Sequence, residues 1–262
     1  MIRVLRLARR YVAFNLSAGM AYTTSFLIQV FGMALNNGAF IIFWAFLFQR
    51  VGGQIAGYNM TDVMFLWAMT ATGFGASVVV FGNAMFLSRL IYSGELDVYL
   101  LQPKPVLINV LMSRMIVSGW GDIAYGLILF AATQQMTVGN WVLFLLFSVL
   151  MALVVTAIRV LYHSATFFLG NAEDFAMMAS ELVISFTLYP GTIFKGPVLI
   201  ALYSLVPAAL VAYIPVELFR SFDLPRLLAV LAADMAIVLV AAGVFRLGLK
   251  RYESGNKIGT RV

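Results

Sequence analysis

Two aspartates interrupt apolar stretches of this 262-residue chain: Asp122, directly after Gly119, Trp120 and Gly121, and Asp234, after Ala233. An ionisable side chain at the bilayer centre costs about 2.5–3.5 kcal/mol on insertion scales, so such residues usually face a protein interior and carry a role. Counting about 1.5 Å per residue from the ends of their apolar runs puts both roughly 15 Å deep. Each could attract a cationic substrate, or be hydrogen-bonded to neighbouring helices or water. Together, sharing one proton, the pair would suit peptide hydrolysis. Other chemistry-bearing residues are scarce. Cysteine is absent and His163 is the sole histidine, which excludes disulfides, cysteine zinc sites and a thiol nucleophile. Arg159 and His163 lie one helical turn apart toward the cytoplasm, where Arg159 can snorkel, and structural roles are expected for both. Glu181 is either a contact for another protein or a buried partner for one of these cations.

The elements that carry these residues must be membrane helices. Hydrophobic residues make up 63% of the chain and charged ones 11%, with a mean hydropathy of +0.97, far from the composition of soluble domains. One all-α, polytopic domain over 1–262 is expected, with no soluble catalytic domain. The net charge of +6 gathers at the chain ends and between apolar runs, so it reads as a topology signal and not as a nucleic-acid surface. Apolar runs predict six spans at 22–48, 62–81, 106–132, 141–168, 175–189 and 224–247. A seventh run, 197–215, is broken by Pro207 and flanked by Pro190, Gly191, Lys195 and Gly196. A seventh crossing would put the basic tail with Lys257 and Arg261 outside. The positive-inside rule therefore makes 190–222 a re-entrant extracellular helical hairpin between helices five and six, with both termini cytoplasmic.

Residues 1–17 place Arg3, Arg6 and Arg10 on one helical stripe, apart from Ile2, Leu5, Val12 and Leu16, the pattern of an amphipathic helix lying on the lipid interface. The apolar run after it is too long for a cleaved signal. Arg9 and Arg10 only look like a twin-arginine signal. Between spans two and three, 83–105 is long for a turn and has helical apolar spacing at Phe86, Leu90 and Ile91, so a cytoplasmic surface made for a partner is expected.

In that segment Ile91, Gly94, Leu96, Asp97, Leu100, Leu101 and Pro103 resemble a signature of one ABC-2 permease subfamily. Tyr189, Pro190, Phe194, Pro207, Tyr213, Ile214 and Pro215 are similar to the stretch such permeases carry before their last helix. The resemblance covers nearly the whole chain. It implies a six-helix permease that dimerises with an identical or homologous permease in the bacterial inner membrane, served by two copies of an ABC ATPase. It further implies that the segment after span two holds a coupling helix, which assigns Arg89, Gly94, Glu95 and Asp97 to the ATPase contact, with Glu173 and Asp174 after span four as a second contact. No Gly-x-x-x-x-Gly-Lys-Ser/Thr stretch is present to cradle phosphates, so ATP and Mg2+ belong to the partner and this chain is expected to bind no cofactor or metal. Export of a hydrophobic or amphiphilic compound (drug, lipid or glycan-like) by alternating access is the resulting expectation; a Phe- and Met-rich interior suits an adaptable path.

Two rivals belong to other classes. Gly119 to Asp122 also matches the Gly-x-Gly-Asp of intramembrane aspartyl proteases, with Asp234 as second carboxylate, although in those enzymes the partner aspartate comes first and follows a tyrosine. A membrane scaffold without transport is the other. For the glycines around Asp122 and for Gly73 and Gly75, close helix packing is the expected use.

Overall fold

A chain this apolar has to satisfy its backbone polar groups internally, and in a computed structural model it is all-helical. The structure describes residues 2–133, 137–204 and 208–253. Pro207, Lys257 and Arg261 lie outside the described residues, as do the side chains of Ile2, Arg3 and Leu5. The helices are α1 (Ile2–Met20), α2 (Thr23–Val51), α3 (Met60–Phe81), α4 (Leu87–Tyr92), α5 (Asp97–Leu100), α6 (Val106–Met112), α7 (Gly119–Ala132), α8 (Val138–His163), α9 (Thr166–Leu169), α10 (Glu173–Thr187), α11 (Pro197–Ser204), α12 (Ile214–Arg220) and α13 (Leu224–Leu249).

Among the described residues four helical runs are long and apolar enough to cross a membrane: Thr23–Val51, Met60–Tyr92, Val138–Leu169 and Leu224–Leu249. The expected fifth, α10, has 15 residues. The run predicted as one span over 106–132 is instead broken into α6 and the 14-residue α7. The break has a physical cause in α3 and the 3-10 turn Gly82–Phe86 that follows it. The Ile116 N–H leaves the helical ladder and donates to the Val78 carbonyl at 3.0 Å. The Asn83 amide takes up the Val110 carbonyl at 3.0 Å and the Ser113 hydroxyl at 2.8 Å, satisfying groups that a helix end leaves orphaned. The Arg114 guanidinium stacks on Phe86, 4.0 Å from its centroid.

α3 is the central post. It packs against α7 and α8; α10 and α13 pack on α8, and α2 lies along α7. Close approach of α3 and α7 requires glycine: a Cβ on Gly75 would sit 2.5 Å from the Gly119 carbonyl oxygen, and one on Gly126 would sit 2.5 Å from the Ala68 carbonyl oxygen. At the N-terminal end of α3, stacked Phe65 and Phe219, joined by Phe130 and Phe144, fill the core. At the opposite end Leu87, Leu90, Ile91, Leu96, Val110, Val160 and Phe245 form a second cluster. α2 is different: Leu27, Ile28, Phe31, Leu35, Ile42 and Phe46 on it are all exposed.

The segment after α10 leaves and returns at one end of the bundle. The Thr192 hydroxyl donates to the Ala56 carbonyl at 2.7 Å. Twenty-odd residues later Arg220 donates to Asp62 Oδ1 and Oδ2 at 2.7 and 2.6 Å and to the Gly57 carbonyl at 2.7 Å. Between them a π turn, Ala209–Tyr213, runs into α12, and the Tyr213 hydroxyl donates to the Phe186 carbonyl at 2.8 Å. At the other end α1 is tied to the α5–α6 region by polar side chains: the Tyr11 hydroxyl bonds to Asn109, Lys104 Nζ donates to Tyr11 at 3.4 Å, and the Asn15 amide donates to the Met112 carbonyl at 3.0 Å. Arg6, Arg9 and Arg10 are exposed.

Candidate functional site

Asp122 stands in the first turn of α7, where Gly121 lets the backbone of α2 come close; a Cβ there would meet the Val30 carbonyl oxygen at 2.2 Å. That approach brings Asn37, from the middle of α2, within reach: its Nδ2 donates to Asp122 Oδ1 at 2.5 Å. Asp122 is 4% exposed, and its Oδ2 has no hydrogen-bond partner among the described residues. Asp122, Asn36, Phe40, Trp67, Phe74 and Glu181 line a cleft of about 170 Å³ between α2, α3, α7 and α10. A second cleft of about 370 Å³ adjoins it, sharing Asn36, Phe40, Trp67 and Leu188 and adding Phe43, Trp44 and Tyr189. Here a carboxylate is offered in an aromatic surround, with one oxygen bonded to Asn37 and the other without a partner among the described residues.

Asp234 is elsewhere. It lies on the face of α13 that packs on α8, 2% exposed, with both oxygens unpartnered among the described residues. Two carboxyls sharing a proton must be within hydrogen-bond distance of each other. Asp122 bonds instead to Asn37, and no hydrogen bond joins it to Asp234. The aspartyl-protease reading is therefore corrected: the dyad it needs is not assembled.

Arg159 also departs from expectation. It does not snorkel; its side chain is 2% exposed, with Nη1 donating to the Ser77 hydroxyl at 3.3 Å, the guanidinium 5.0 Å from the Phe74 ring centroid and Nη2 4.0 Å from Glu181 Oε1. Its guanidinium is met by Ser77 and Phe74 of α3 and by Glu181 of α10. One turn on, His163 Nδ1 meets the Ser88 hydroxyl at 2.8 Å and locks α8 to α4. Glu181 lies 4.0 Å from the Arg159 guanidinium, but with its side chain 57% exposed it is not the buried partner expected for a cation.

The residues expected to meet a partner collect at the α4 end. α4 is mostly buried, a consequence of Leu87, Ser88, Leu90 and Ile91 facing the bundle, so the segment is less a free surface helix than an extension of the α3 rod. Arg89 and Glu95 are exposed. Gly94 has φ +77°, the left-handed conformation glycine adopts freely, and turns the chain into α5. Asp97 is half-buried and faces the Tyr252 hydroxyl, which burial first and then Asp97 push up to about 12. α9 packs on α4, and α10 begins beside them with Glu173 and Asp174 in its first turn, where acidic groups suit the helix dipole. Val98, Leu101 and Leu169 project from this end, Leu101 with 88% of its surface exposed.

Asn37 and the Asp62–Arg220 pair escaped the sequence reading. For Asn37 a signal existed, since Asn36 and Asn37 are the polar interruption at the middle of α2. For Arg220 none did, because its partner is 158 positions away. A family model described as ABC-2 family transporter protein matches residues 34–256. No curated protein and no solved structure matches the chain. The match takes in every helix from the second half of α2 to α13. The chain thus belongs to the ABC-2 transporter family, as a multi-pass membrane permease subunit of an ABC transporter whose family associates with an ABC ATPase.

Proposed function

We propose that this permease forms the transmembrane half of an exporter in a bacterial inner membrane, pairing with an identical or related permease and carried by two ATPase copies that hold the ATP and Mg2+. In this reading 1–262 is one transmembrane domain of six crossings with both termini cytoplasmic. α7 and α10 are the short crossings and 190–222 is a re-entrant outer segment, supported by Thr192 and Arg220 both returning to the 52–62 region. α1 lies on the inner lipid interface, supported by its exposed Arg6, Arg9 and Arg10.

The observation that carries the proposal is the α4 end. Arg89, Gly94, Glu95, Asp97, Glu173 and Asp174, chosen from sequence as ATPase contacts, come from two separate stretches that pack side by side around α9. Behind them the second apolar cluster links α4 to α8 and α13. A partner pulling on this end therefore moves packed helices rather than a loop. Closure of two ATPases is then transmitted as a rigid shift of helices, the kind of motion alternating access needs. Hydrophobic or amphiphilic substrates suit the aromatic clefts beside α2.

The test is pull-down of the tagged chain from solubilised membranes. An ABC ATPase co-purifies, and Arg89→Glu together with Leu101→Asp abolishes its recovery while leaving the permease in the membrane. Recovery of the ATPase undiminished by the double variant rejects the docking face. Because the chain has no cysteine, Ser93→Cys is a single reporter of sidedness, and labelling of it by an impermeant maleimide in intact cells would reverse the topology.

A further inference from the structure

We infer that the cleft between α2, α3, α7 and α10 binds the charged end of a hydrophobic organic cation. The inference deepens the permease reading and rests on it. An intramembrane carboxylate needs a reason to be there, and a structural one would leave it saturated. Asp122 is not: Asn37 occupies one oxygen, and nothing among the described residues occupies the other. Glu181 lies on the same wall as a second carboxylate, its charge shared with Arg159 at 4.0 Å. No basic side chain is among the residues lining the cleft.

The rest of the wall fits the same ligand. Phe40 and Trp67 supply aromatic faces, which attract a desolvated cation and exclude its hydrated competitors. Phe40 stacks on Trp67 with centroids 5.0 Å apart, so these rings are held in place. Thr70 Oγ1 and Trp67 Nε1 are both buried without partners among the described residues and can donate to a polar atom of the ligand. Phe43 and Trp44 carry the apolar surface on into the adjoining cleft, giving room for a hydrophobic body beside the charge. A carboxylate, aromatic walls and an apolar annex select charge sign and hydrophobicity together, which neither an anionic lipid nor a neutral glycan offers.

The experiment measures tritiated tetraphenylphosphonium binding to the full chain in lipid nanodiscs, after subtraction of empty discs, beside tetraphenylborate, which has the same shape and opposite charge. The native chain is expected to bind the phosphonium saturably and not the borate. Asp122→Asn should weaken the phosphonium by at least about tenfold, the usual scale for losing a buried opposite charge, and Glu181→Gln by about threefold because Arg159 already shares its charge. Equal binding of the two ions, or phosphonium binding unchanged in both variants, overturns the inference. Should Asp122→Asn fail to assemble, Glu181→Gln and Trp67→Leu decide: unchanged phosphonium affinity in both overturns it. Recovery of the ATPase by these same variants keeps the questions apart. A chain that recruits the ATPase but ignores the phosphonium refutes this inference alone, and one that binds the phosphonium but recruits no ATPase refutes the permease docking reading alone.

Discussion

Asp62 and Asp122 are buried to nearly the same degree, 4% exposed each, yet their surroundings are opposite. Asp62 closes a capping box with Asn59 at the start of α3 and accepts from Nε and Nη2 of Arg220. Arg220 in turn bonds the Gly57 carbonyl and lies 4.7 Å over the Tyr58 ring. Its guanidinium is held above the usual arginine value, first by the hydrogen bonds to Asp62, and the Tyr58 phenol is raised by burial. Asp122 has one amide. A carboxylate with both oxygens engaged by fixed donors serves the fold, whereas one with an oxygen to spare retains binding capacity that a ligand can use. The Asp62–Arg220 clamp is thus held from both of its oxygens, and the Asp122 cleft from one.

Breaking the saturated site should have the largest effect. Arg220→Met leaves Asp62 buried without its cation and is expected to cost about 2–3 kcal/mol, discounted from the fully buried case because Arg220 is partly exposed. Its measure is the unfolding midpoint in detergent micelles, where a drop no larger than that of a surface arginine variant would show the clamp to be ornamental. Gly121→Ala attacks the approach that creates the second site. The new methyl has to displace the α2 backbone at Val30, at an expected cost of about 1–3 kcal/mol, and cross-linking of cysteines placed at Asn37 and Asp122 should fall in parallel. The smallest change is Asn37→Leu, which removes the sole side-chain donor to Asp122 among the described residues and costs about 1 kcal/mol. If Asn37→Leu proves as damaging as Arg220→Met, Asp122 is a structural carboxylate and the contrast between the two sites disappears.

Much of the plan was legible from local pattern. Apolar length alone marks α2, α3, α8 and α13 as long enough to cross a membrane. Span three was misjudged because apolar content does not distinguish a continuous helix from two pieces. What breaks it is the Val78 carbonyl and the Asn83 amide, offered from another helix. For Arg159 the structural role was legible but its depth was not: a snorkelling arginine and one met by Ser77, Phe74 and Glu181 have the same neighbours in sequence.

The sequence by itself determined that the chain lives in lipid as apolar helices, where charge sits between them, and that Asp122 and Asp234 were buried oddities. Only the tertiary structure decided that both oxygens of Asp62 are engaged, that one oxygen of Asp122 has no partner among the described residues, and that Asp122 and Asp234 form no hydrogen-bonded pair. Helix formation and hydropathy depend on residues a few positions apart, so they can be read along the chain. Hydrogen-bond saturation depends on donors 85 and 158 positions distant, and those are chosen only when helices pack.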